Sequence, residues 1–144
     1  MSGPNSERWP NVLTIPVGTQ AATILLPGAY FRKRTRLKAA MLIDQAGVAA
    51  SNSNYLTITL QDSAATPNVY ASLDTRAANQ GALTAQVAAL MTLGGDTVLG
   101  PTSGAVATPV IGDSTNPEVD IAAGANLEIS VVAGGTVTST KMLL

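Results

Sequence analysis

The chain has 144 residues, enough for one domain with a sizeable core, and a net charge of −1. It contains neither cysteine nor histidine, which excludes disulfides, thiolate chemistry and the usual general base or transition-metal ligand at neutral pH. Charged residues make up only 12% and the pI is about 5.1, so the whole chain is not built to seek nucleic acid or an anionic membrane.

In chain order, Met1 to Asn11 carries two prolines and one glycine around a lone Trp9, and reads as an extended arm: either a loose terminus, or a segment ordered by a partner with Trp9 as its anchor. Neither a signal peptide nor a transmembrane run is expected. Alternation of Leu13, Ile15 and Val17 predicts a first strand to Gly18, with Pro16 marking an edge or a bulge. A second strand is expected over Ala22 to Leu26, closed by a Pro27-Gly28 turn.

The densest chemistry follows. Arg32, Lys33, Arg34, Arg36 and Lys38 are five of the chain's eight basic residues. Read as one extended segment from Tyr30 to Gln45, the stretch puts Arg32, Arg34, Arg36 and Lys38 on one face and Leu37, Ala39, Met41 and Ile43 on the buried one. Like charges spaced about 7 Å apart along a strand repel unless something anionic lies against them. Three uses compete: a charged edge that deters strand pairing, a surface that docks carboxylates of a subunit or partner, and a nucleic-acid track. The acidic pI and the few aromatics argue against the last, and no nucleic-acid partner is expected.

Tyr55 to Asp62 alternates most cleanly, with Leu56, Ile58 and Leu60 inward. Asn68 to Thr75 is a further strand with Val69, Ala71 and Leu73 inward. Gly81 to Leu93 is rich in good helix formers and leans to one short helix, although a period of two fits nearly as well. Gly94 to Pro117 reads as a long Gly/Pro/Thr/Ser excursion with one short strand at Ala105 to Ile111. Strands at Val119 to Ala122 and from Leu127 follow, with turns at Gly124 and Gly134-Gly135, the second read as a hairpin into a last strand ending on Met142-Leu143-Leu144.

The fold class expected is therefore all-β: an antiparallel β-sandwich, jelly-roll-like, of about eight strands with at most one short helix. Residues 1–11 form the arm and 12–144 a single domain. No catalytic motif is present: there is no G-x-S-x-G, no P-loop and no dinucleotide fingerprint, and the glycine pairs read as turns. Glu118 and Asp120 share a strand face, with Glu128 after the turn. They lack the spacing of a calcium loop, so no metal and no cofactor is expected. They are better read as candidate counter-charges for the basic stripe, in the same chain or a neighbouring subunit.

The arm with Trp9, the strand Tyr55-Leu56-Thr57-Ile58-Thr59-Leu60 and the unit from Ile121 through Gly124 to Val131 together resemble the small jelly-roll proteins that decorate tailed-phage capsids. That resemblance implies a non-enzymatic virion protein, made in the host cytoplasm. It would sit on the outer capsid surface as a homotrimer and cement neighbouring major capsid proteins. Trp9 and the five basic residues would form the subunit or partner interface, with no membrane involved. A tail, baseplate or head-fibre component is the nearest alternative. A carbohydrate-binding module using Tyr55 or Tyr70 is the rival from another class.

Overall fold

The computed structural model describes residues 16–18, 24–94, 106–107, 110–112, 117–137 and 142–143. Trp9 and the expected arm lie outside them, as does most of the Gly94–Pro117 excursion. Among the described residues the fold is all-β and contains no helix. The strands are β1 (Pro16–Gly18), β2 (Ile24–Tyr30), β3 (Thr35–Leu37), β4 (Met41–Asp44), β5 (Tyr55–Asp62), β6 (Asn68–Asp74) and β7 (Ala88–Leu90). They continue with β8 (Thr92–Leu93), β9 (Val106–Ala107), β10 (Val110–Gly112), β11 (Pro117–Ile121), β12 (Asn126–Gly134) and β13 (Met142–Leu143).

Three sheets result. The largest runs β2-β12-β5-β6-β8, with β9 added in parallel to β6; a second runs β1-β13-β4-β7; the third runs β10-β11-β3. Apart from the β6–β9 pair, the strand pairings are antiparallel. All three sheets feed one core, in which Leu42, Leu56, Ile58, Leu73, Val119, Ile121, Ile129 and Val131 have almost no exposed surface. A shared core between antiparallel sheets is the arrangement of a β-sandwich.

The centre of the large sheet follows the hydrophobic alternation. β5 spans Tyr55–Asp62 and buries Leu56, Ile58 and Leu60. In β6 a register shift opposite Leu60 and Gln61 admits one extra residue, so Tyr70 joins the core cluster with Ala71 and Leu73, and Val69 is buried as expected. Asp62 closes the loop between these strands. Its carboxylate accepts from the Asn68 backbone N–H (2.9 Å), Asn68 Nδ2 (2.7 Å) and the Tyr70 hydroxyl (3.2 Å).

Several expectations are corrected. Pro27-Gly28 is not a turn: β2 continues through it, on the outer strand of its sheet, with a register shift opposite Asn126 and Glu128. Pro16 does mark an irregularity, since β1 is the end strand of its sheet and its register shifts there. The segment from Tyr30 to Gln45 is not one strand. It breaks after Tyr30 and again over residues 38–40, and the side-chain phase reverses at the second break. Ala40, Leu42 and Asp44 point inward, while Ala39 and Met41 are exposed.

The short helix does not form. Residues 77–80 are a turn, Leu83 makes an isolated bridge to Val48, and β7 and β8 follow. Helix propensity worth tenths of a kcal/mol per residue yields here to backbone pairing with β4 and Val48. Gly134-Gly135 does not close a hairpin either. β12 lies between β2 and β5, and β13 joins the other sheet between β1 and β4. Two short strands, β9 and β10, replace the single one expected at Ala105 to Ile111.

Candidate functional site

The basic cluster is built by three elements. The chain leaves β2 at Tyr30, and Phe31 ties it to the turn between β11 and β12: Phe31 N–H donates to the Ala125 carbonyl (2.9 Å) and its carbonyl accepts from Gly124 N–H (2.8 Å). Arg32 and Lys33 then form an exposed bend, fixed by the Thr35 hydroxyl donating to the Lys33 carbonyl (3.0 Å). β3 follows as the end strand of its sheet, paired with β11 so that Arg36 stands opposite Asp120 and Leu37 opposite Val119.

That register makes an interlocked ladder of charge. Arg34 bonds Asp120, Arg36 reaches both Glu118 (3.0 Å) and Asp120 (3.3 Å), and Lys38 reaches Glu118 (3.2 Å). The ammonium of Lys38, followed by the guanidinium of Arg36, holds the Glu118 carboxyl below its ordinary value, against a desolvation effect that opposes it. The cations are largely exposed and the carboxylates lie closer to the sheet, so each pair contributes little stability by itself. The ladder does give the outer strand of this sheet a charged flank, a usual guard against edge-to-edge pairing.

The candidate residues thus divide. Arg34, Arg36 and Lys38 share a face, and their counter-charges are Glu118 and Asp120 of the same chain. Arg32 falls in the bend rather than on the strand, and neither it nor Lys33 is in an ion pair with any described residue. Glu128 stands apart in the middle of the large sheet, opposite Gln61, with no ion pair among the described residues. Five cations against two carboxylates leave the cluster with three net positive charges on a chain of net −1.

The other described carboxylates are committed to the fold. Asp44 is fully buried and caps the turn after β4, accepting from the Ala46 (3.0 Å) and Gly47 (2.7 Å) backbone N–H groups. Asp74 is fully buried as well and is clasped by Arg76, whose Nε lies at 2.8 Å and whose backbone N–H also donates at 2.8 Å. The Arg76 guanidinium in turn stacks on the Tyr55 ring, 4.7 Å from its centroid. Among the described residues no group of three or more acidic side chains is placed to hold a metal ion.

One surface was not legible as a site in the sequence. Met41, Val87 and Leu90 are large, apolar and 51–64% exposed, and Met41 stands directly opposite Leu90 across the β4–β7 pair. In a helix over residues 81–93, Val87 and Leu90 would line up with Leu83 and Met91 on one inward stripe. Their exposure follows from the β pairing that replaced the helix.

No family model, no curated protein and no solved structure matches the chain.

Proposed function

We propose that the protein is a structural virion component that binds the outer surface of a phage capsid and cements neighbouring major capsid proteins. The carrying observation is the basic cluster: an exposed corner with three surplus positive charges, on which Arg32 and Lys33 are in no ion pair with a described residue. A protein surface lined with carboxylates is its complement. Phosphate is disfavoured, because Glu118 and Asp120 already lie among the three ladder cations and would repel a polyanion. The commitment of Asp44, Asp62, Asp74, Glu118 and Asp120 to turns and ion pairs supports a binding role over acid–base catalysis. Many weak contacts on a repeating shell would add up by avidity.

The carbohydrate-binding alternative loses one of its two aromatic platforms. Tyr70 is 2% exposed with its hydroxyl on Asp62, so no sugar can stack on it.

The test is co-sedimentation with bare capsids, together with the copy number per virion. Saturable binding at one copy or one oligomer per repeated capsid site is expected. Arg32→Glu with Lys33→Glu should abolish binding while leaving the ladder and the fold intact. Absence of capsid affinity in the parent protein overturns the cement role, and undiminished binding of the double variant removes the cluster from it.

A further inference from the structure

We infer that β7 is a self-pairing edge through which two copies of this chain join about a two-fold axis. This goes beyond the capsid role and does not depend on it. β7 is the end strand of the β1-β13-β4-β7 sheet among the described residues. On its inner side, Met91 N–H donates to the Ala40 carbonyl (2.9 Å), directly opposite in register, so hydrogen bonding alternates from there. Ala89 faces Leu42 with its N–H and C=O, while those of Ala88 and Leu90 point away from the sheet.

This parity is self-complementary. Two β7 strands laid antiparallel with Ala89 opposite Ala89 bring Ala88 of each copy opposite Leu90 of the other, and both such pairs exchange N–H and C=O groups. The side chains agree with the backbone. Met41 with Leu90 and Ile43 with Ala88 form one face, so pairing extends an apolar row across the seam and covers Leu90, which is otherwise 64% exposed. The charge pattern permits pairing at this edge and forbids it at β3. Residues 77–95 contain no charged side chain, so β7 meets its copy without repulsion. Pairing through β3 would set Arg36 and its neighbours against themselves. An edge strand normally carries a charge or a proline to prevent such contact; β3 has this guard and β7 does not.

A seam this short supports a weak and reversible dimer, with a Kd on the order of 10–100 µM, rather than a permanent one. Sedimentation equilibrium of the full chain across that range tests it, and a concentration-dependent dimer is expected. Leu90→Lys should weaken association by at least about tenfold, and, because the side chain is mostly exposed, leave thermal unfolding of the dilute protein unchanged. The protein has no cysteine of its own, so Ala89→Cys gives a single thiol at the two-fold axis. Non-hydrogen-bonded antiparallel pairs place Cα atoms about 4.5 Å apart, within disulfide range. Mild oxidation should therefore link Ala89→Cys into a covalent dimer, while Ala123→Cys, in the exposed turn after β11, stays monomeric. A monomer throughout the range, a trimer as the largest species, or equal crosslinking at both positions overturns the inference.

Discussion

Replacing Arg76 by alanine isolates the buried carboxylate on which the turn after β6 is built. Asp74 has no exposed surface, and it accepts from Arg76 Nε and Nη2, from the Arg76 backbone N–H and from the Thr57 hydroxyl (3.2 Å). Arg76→Ala removes the two guanidinium bonds and the stacking on Tyr55, and leaves the backbone and hydroxyl bonds in place. Breaking a buried ion pair by removing one partner costs roughly 3–5 kcal/mol. The guanidinium is one-third exposed, so water screens part of the interaction and the expected loss is about 2–3 kcal/mol. The pH dependence separates this from a mere packing defect. Burial pushes the Asp74 carboxyl up, but the Arg76 side-chain and backbone bonds outweigh it and hold it below the ordinary aspartate value. A depressed carboxylate contributes stability that is present above its unfolded pKa and lost as pH falls through the folded one. The gap between parent and variant in urea unfolding should therefore be widest near neutrality and narrow below about pH 4. A loss under about 1 kcal/mol at neutral pH, or a gap that does not close in acid, refutes the reasoning.

Three further outcomes follow from the same structure. Burial, then the charge of Asp62, pushes the Tyr70 phenol up to about 12. A raised folded pKa keeps its stabilisation in full below the unfolded value near 10 and loses it as pH rises toward the folded one, so phenolate absorbance should show one tyrosine titrating late, with stability falling across that window. Gly47→Ala should destabilise by at least about 1–2 kcal/mol in denaturant melts, because φ is +80° there and a Cβ would sit 2.6 Å from the Leu83 carbonyl oxygen; a neutral result would show that the Val48–Leu83 bridge can shift. Ile129→Ala, at a fully buried position at the centre of the large sheet, should cost about 2–5 kcal/mol by the same assay, and a loss below about 1 kcal/mol would mean that the core is not packed as described.

Much of the candidate site could be read before the fold was known, though not its connections. Alternation alone put Arg34, Arg36 and Lys38 on one face and Glu118 with Asp120 on another strand. It could not show that these two faces meet, because the pairing joins residues 82 and 86 positions apart. The self-pairing edge was hidden for a different reason. Ala, Leu and Gln favour a helix locally, and the contacts that override that preference come from Val48 and β4.

The amino-acid sequence by itself determined the all-β class, the span and inward face of β5, and the concentration of positive charge in one short segment. Each rests on side-chain period or composition within a few neighbouring residues, which no distant contact has to supply. Tertiary structure alone decided the phase reversal between Lys38 and Met41, since a period of two persists only while a strand stays in one sheet, and here the chain passes from the sheet of β3 to that of β4. It also decided which charges are spent. Register between β3 and β11 neutralises part of the basic stripe inside the chain, and leaves Arg32 and Lys33 exposed in the bend before β3.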